Sequence, residues 1–184
     1  SLIWLLFQRS VKDAAINWAW SLSGIIYIGW LLSHFISLRD LDGGREWVLF
    51  IVLATFAADT AAFFIGRAWG RHSLAPIISS GKTWEGAVGG VVGSIAAAAT
   101  CGIWFLDELP VLAVSPGQAA LIGAVIGIVA QVGDLVESAL KREAGVKDSG
   151  RVFPGHGGVL DRVDSLIWTF PFTWLMLEIL GVIP

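Results

Sequence analysis

Long apolar runs fill most of the chain, and short polar segments separate them. About 20 apolar residues are enough to cross a bilayer as a helix. Five runs approach that length: about Trp18 to Leu38, Trp47 to Gly66, Gly86 to Leu106, Gly117 to Leu140 and Asp164 to Gly181. The second contains Asp59, and the fourth stays apolar until Gln131 and then turns polar. Pro171 predicts a kink in the fifth. His34, near the end of the first, reads as an interfacial residue. Small residues recur every four positions, as Gly86, Gly90 and Ser94, as Gly89 and Gly93, and as Gly123 and Gly127. That spacing predicts closely packed helices and needs no further chemistry. The expected fold is all-α, a polytopic transmembrane helical bundle of about five spanning helices, with its polar chemistry gathered in a loop on one side.

Composition supports a membrane protein. The chain of 184 residues is 55% hydrophobic and 15% charged, against about 25% charged residues in soluble domains. Its mean hydropathy is +0.74. Ten tryptophans and 22 glycines suit a bilayer, where Trp favours the interfaces and Gly lets helices approach. A net charge of −3 excludes nucleic-acid binding by bulk electrostatics. Cys101 is the single cysteine, so there is no disulfide framework and no thiolate metal site.

The basic residues predict the orientation. Residues 1–18 hold Arg9 and Lys12, 67–85 hold Arg67, Arg71 and Lys82, and 141–163 hold five. Residues 107–115 hold none, and Arg39 and Arg45 in 39–46 are offset by three acids. Positive residues favour the cytoplasmic side. The N-terminus and the segments 67–85 and 141–163 are therefore expected there, with the C-terminus outside.

Ser138 to Asp164 is the longest polar stretch and carries five of the twelve basic residues. Just before and into it, Gln131, Asp134, Glu137, Ser138 and Lys141 fall on one helical face. Ionisable residues at membrane depth face a wet cavity or a partner. Asp161 and Asp164 are three apart at the start of the last run. One of them could simply cap that helix, but three acids on two adjacent helix ends suggest a shared hard cation. Mg²⁺ takes oxygen ligands and keeps contact with substrate phosphates. Lys141, Arg142, Lys147, Arg151 and Arg162 surround these acids, and glycines at 155, 157 and 158 flank His156. That combination suits polyphosphate, with backbone N–H groups as an anion nest. A second polar loop, Ser79-Ser80-Gly81-Lys82-Thr83-Trp84-Glu85-Gly86, offers a lysine, hydroxyls and Glu85 ahead of a helix. It is not a P-loop, because Pro76 stands where the first glycine is required. Asp59 either pairs with a basic residue of the polar stretch or is a cavity-facing structural acid.

The polar stretch, read as Ser138-x2-Lys141-Arg142-x4-Lys147-Asp148-x-Gly150-x2-Phe153-Pro154-x-His156-Gly157-Gly158-Val159-x-Asp161-Arg162-x-Asp164, resembles the signature of the phosphatidate cytidylyltransferase (CDP-diacylglycerol synthase) family. The Lys82-Thr83 loop and Asp59-Thr60 also look like family segments, so the likeness spans roughly residues 47–184. Relatives usually read Ser-Pro-Lys or Ser-Pro-Gly before that Lys-Thr pair, where this chain has Ser79-Ser80-Gly81. The chain opens inside an apolar phrase, Leu2 to Phe7, so preceding N-terminal material is expected. Residues 1–184 are read as one transmembrane catalytic domain, with 1–46 as peripheral spans and 47–184 as the catalytic core.

The resemblance implies transfer of a cytidylyl group from CTP to phosphatidate, giving CDP-diacylglycerol and pyrophosphate. It also implies dependence on Mg²⁺, with room for a second cation. The implied location is the cytoplasmic face of a membrane, the cell inner membrane. Asp134, Asp161 and Asp164 would hold the metal. Lys141 would join them in catalysis. Arg142, Lys147, Asp148, His156, Gly157, Gly158 and Arg162 would bind phosphates, and Lys82, Thr83, Glu85 and Asp59 would complete the substrate site. A CTP-dependent transferase acting on another lipid or polyprenyl phosphate remains a neighbouring alternative. An ion-coupled transporter, with Asp59 and Asp134 as carriers, or a catalytically silent scaffold would be a different class. Exposed Gly- and Trp-rich helices leave room for a homodimer.

Overall fold

The computed structural model describes residues 14–108, 114–150 and 158–183. Five helices account for nearly all of them. α1 spans Ala14–Arg39, with a π-helical stretch at Ile25–Trp30. α2 spans Gly44–Trp69, α3 Trp84–Glu108, α4 Pro116–Glu143 and α5 Leu160–Ile179. α1 to α4 are long and apolar enough to cross a membrane, so the chain is a multi-pass helical protein. α5 forms where the fifth span is expected, but it begins at Leu160 rather than Asp164. Asp161, Arg162, Asp164 and Glu178 keep it out of that apolar set. The helix runs through Pro171 without interruption.

One feature departs from a purely helical chain. Within the expected loop 67–85, β1 (Ser73–Ala75) and β2 (Ser79–Thr83) pair antiparallel, Ser73 opposite Thr83 and Ala75 opposite Ser79. Strands this short and polar carry no alternating pattern from which to read them.

Local signals set the ends of α4. Ser115 and Gln118 form a reciprocal capping box, and Pro116 occupies the first turn. At the far end Gly145 adopts φ 69°, and Val146 N–H reaches back to the Lys141 carbonyl at 2.9 Å. This left-handed closure satisfies the last carbonyls and turns the chain away.

The two halves of the bundle differ in chemistry. Leu38, Trp47, Phe50, Ile51, Ala54, Ala98, Ile122, Ile126, Phe170 and Leu177 form the buried core. They come from the end of α1, the start of α2, the later part of α3, the first half of α4 and the later part of α5. Asp59, Asp134, Glu137, Lys141, Asp161 and Asp164 lie towards the opposite ends of those helices. The two polar connections meet at that other end, where Arg142 Nε donates to the Ile78 carbonyl at 3.4 Å.

The glycine spacing does what it predicts. A Cβ on Gly127 would lie 2.8 Å from Val91 Cα, and one on Gly123 would lie 2.9 Å from the Ser94 carbonyl. α3 and α4 therefore touch backbone to backbone. Gly127→Val should destabilise the bundle by about 1–3 kcal/mol through overpacking, read as a lower thermal midpoint in detergent. Gly24→Ala, at a helical position with nothing within 4 Å of the added carbon, should not lower the midpoint.

Candidate active site

The hairpin delivers Lys82 to the bundle. Thr83 Oγ1 accepts the Gly86 N–H at 3.1 Å, capping the first turn of α3. Glu85 accepts the backbone N–H groups of Arg71 and His72 at 3.1 and 3.3 Å. It also pairs with the His72 ring at 2.6 Å. The base of the hairpin is thereby clamped to α3 on both sides. Glu85, expected to bind substrate, is occupied in holding the hairpin and is not among the residues that line the cavity.

From this clamp, Lys82 Nζ reaches Asp134 Oδ2 on α4 at 2.6 Å. Ser138, one turn on, donates to the other Asp134 oxygen at 3.3 Å. Both Lys82 and Asp134 line a cavity of about 440 Å³ with Asp59, Arg67, Thr83 and Gln131. Gln131 anchors the α4 wall, donating to the Gly127 carbonyl and across to Ala87 on α3 at 2.8 and 3.0 Å. Asp59 lines the cavity from α2. Asp59, Asp134 and Asp164 lie within electrostatic range of one another. The volume falls within the range of small-molecule sites, and Lys82 with Arg67 supplies the positive charge an anion needs.

A second polar cluster adjoins the first. Glu137 is fully buried on α4 and pairs with Lys141 one turn on at 2.5 Å. Lys141 also binds Asp161 at the head of α5 at 2.7 Å. Asp161 in turn accepts Ser149 N–H at 2.9 Å, Ser149 Oγ at 2.8 Å and Gly158 N–H at 2.6 Å. Burial works against its charge, but Lys141, Gly158 and Ser149 outweigh that and hold the carboxyl well below its ordinary range. Asp161 lies outside the four helices that are long and apolar enough to cross a membrane.

These contacts redistribute the expected roles. The Gly158 N–H is committed to Asp161 rather than to an open anion nest. Arg142 bridges Ile78 and Val146 and so ties the two connections together. Lys147 and Asp148 are exposed on the α4–α5 connection, as is Arg162 at the head of α5. Asp164 Oδ1 accepts the Ser165 N–H at 2.6 Å. His156 and Gly157 lie outside the described residues. Among the described residues, no three His, Cys, Asp or Glu side chains converge as a ready-made ion cage. Asp134 and Asp161, expected to share one cation, are instead each paired with a different lysine. The donors are nonetheless all oxygens, the set a hard divalent cation takes.

Sequence reasoning overlooked Ser149 and gave Arg67 no role. Ser149 carried a signal only as part of the Asp148-Ser149-Gly150 turn, a run that normally reads as a simple bend.

The sequence matches the profile of the Cytidylyltransferase family over residues 1–180, beyond the 47–184 expected from motifs alone. It is 39% identical over 155 residues to a phosphatidate cytidylyltransferase of Bacillus subtilis (strain 168), covering 84% of this chain and 56% of that protein. With the phosphatidate cytidylyltransferase of Brucella melitensis biotype 1 it shares 42% identity over 151 residues, 80% of this chain and 53% of the relative. A third, from Staphylococcus haemolyticus (strain JCSC1435), is 37% identical over 159 residues, 86% of this chain and 58% of the relative. The chain thus spans about half the length of the curated relatives it matches.

The Asp161 contacts latch the α4–α5 connection. Because the folded carboxyl titrates below its unfolded value of about 3.9, the latch contributes above that pH and weakens only as pH falls through the depressed value. Limited proteolysis of residues 144–150 should therefore be equally slow from pH 5 to pH 8. Asp161→Asn should speed it several-fold at every pH in that window. Equal rates for the variant and the parent protein would show that the latch does not hold the connection.

Proposed function

The chain belongs to the cytidylyltransferase family, and on that premise we propose that it transfers a cytidylyl group from CTP to phosphatidate. The products are CDP-diacylglycerol and pyrophosphate. The observation that carries this reading is the Lys82–Asp134 pair on the wall of a polar cavity, at the end of an otherwise apolar bundle. A water-borne triphosphate and a bilayer-bound lipid phosphate can both reach such a place. We place this end on the cytoplasmic side, where the basic segments 67–85 and 141–163 fall.

In this reaction an oxygen of the phosphatidate phosphate forms a bond to the α-phosphorus of CTP. The bond from that phosphorus to the bridging oxygen of the β-phosphate breaks, and pyrophosphate leaves with the electron pair. A phosphate monoester is largely ionised near neutral pH, its second pKa being about 6, so the attacking oxygen needs no base. Both partners are anionic. The work of the protein is therefore alignment and neutralisation of charge. Lys82 and Arg67 face the cavity and bind phosphate oxygens there. Thr83 holds the α3 turn that sets the position of Lys82. Lys141, half-buried between Glu137 and Asp161, keeps the head of α5 against α4. When bound, Mg²⁺ supplies further neutralisation of the triphosphate. Asp134, Asp161 and Asp164 are the residues that would hold it.

Pyrophosphate release by the purified protein in detergent, given CTP and phosphatidate, tests the proposal. Release should require both substrates and stop when Mg²⁺ is chelated. Release with only a polyprenyl phosphate as acceptor would move the reading to that lipid class, and no release with any lipid phosphate would overturn it. Lys82→Met and Asp134→Asn should each lower kcat/KM by about 10²–10³-fold, the scale expected for losing one preorganised charge partner.

A further inference from the structure

A second cavity, of about 900 Å³ and mostly apolar, lies between α1 and the later turns of α4 and α5. Trp20, Tyr27 and Trp30 form one wall, and Leu140, Trp168 and Phe172 form the other. None of residues 14–30 of α1 is buried, so this half of the helix stands off the bundle and leaves the groove open. Ser23, His34 and Glu178 also line it, and between its walls lies one buried, unpaired polar spot. The Tyr27 hydroxyl and the Trp168 indole nitrogen are both buried without a hydrogen bond of good geometry, and their rings lie 6.2 Å apart. The indole N–H can only donate. Even where it leans on the phenol oxygen, the phenol proton is left without an acceptor. Leaving such a group unmet in an apolar wall is costly. The groove therefore suits an apolar ligand that brings an acceptor to this buried pair.

Charge decides which acceptor. Tyr27 sits in the field of Asp164, Glu137 and Asp134, and the Trp168 ring packs against the Gly133 turn of α4, next to Asp134. A phosphate placed here would face three carboxylates. A neutral ester carbonyl would not, and it accepts from both donors. We propose that this groove is the acyl-chain subsite for a glycerolipid phosphate, with Tyr27 and Trp168 hydrogen-bonding an ester carbonyl. The chain lies along the Trp and Phe wall, and the phosphate extends past the Gly133 turn towards Lys82. The proposal rests on the transferase reading for the identity of the lipid and adds a preference for ester-linked over ether-linked chains.

Photolabelling without CTP tests it separately from catalysis. The purified protein, in phosphatidylcholine nanodiscs, is labelled with diacyl phosphatidate carrying a diazirine in one chain, and the adducts are mapped by mass spectrometry. Adducts should fall within residues 20–34 and 168–175, and diacyl phosphatidate should compete about three- to tenfold better than its dialkyl ether analogue. Tyr27→Phe, which removes only the hydroxyl, should reduce that preference, and Trp168→Phe should do the same. Adducts confined to other helices would overturn the assignment, as would competition by phosphatidylcholine equal to that by phosphatidate. An ester preference untouched in both variants would also overturn it, and so would a groove left unlabelled because another part of the protein fills it. Correct labelling by a protein that turns over no CTP would refute the transferase reading alone. Normal turnover with labelling elsewhere would refute the groove alone.

Discussion

A charge placed among apolar helices must find a partner, and the arrangement of this bundle follows from that demand. Lys82 meets Asp134, and Lys141 is shared between Glu137 and Asp161. Glu137–Lys141 lies within α4, and the other two pairs join different elements. Lys82 ties the hairpin to α4, and Lys141 ties α4 to the head of α5. Removing one partner would leave the other charge stranded at the edge of hydrocarbon. The pairs therefore act as fasteners for the polar end of the bundle, while ordinary packing fastens the other end.

This division explains why the core and the cavity do not overlap. Trp47, Phe50, Ile122, Ile126 and Leu177 consolidate one end. Backbone-to-backbone contact at Gly123 and Gly127 locks α3 against α4 along their shared length. Gln131 then marks the change of regime. It lies one turn beyond Gly127 and spends its amide on two carbonyls, one on each side of the α3–α4 seam. Beyond it the side chains are Asp134, Glu137, Ser138 and Lys141, and the helices separate enough to leave a cavity.

On the proposed reading, the same geometry brings together two substrates with opposite solvent preferences. Burial of each CH₂ is worth about 0.8 kcal/mol, so a diacyl lipid stays in the bilayer and only its head can be presented to water. The polar cavity opens beside the hairpin, and the apolar groove opens beside α1. The Gly133 turn of α4 lies between them, with Asp134 on the cavity side and Trp168 packed on the other. A lipid phosphate and a nucleotide can then approach from different media without either being fully desolvated.

Hydrophobic run length determined the helices, because a chain in lipid has no other way to satisfy its backbone. Periodicity placed Asp134, Glu137, Ser138 and Lys141 on one face, and small-residue spacing marked Gly123 and Gly127 as contacts. The motif around Ser138 to Asp164 identified the family. None of these could show which carboxylate meets which cation, since pairing depends on how helix ends approach in three dimensions. Glu85 looked like a ligand, and its contacts clamp the hairpin, which folds back onto the first turn of α3. Asp134 and Asp161 looked like two ligands of one ion, yet each faces its own lysine across a different seam. The groove beside Tyr27 left no trace in the sequence, for it arises only where α1 stands away from α5. One-dimensional pattern decides what must be buried and what must be wet, whereas distances between elements far apart in the chain decide who partners whom.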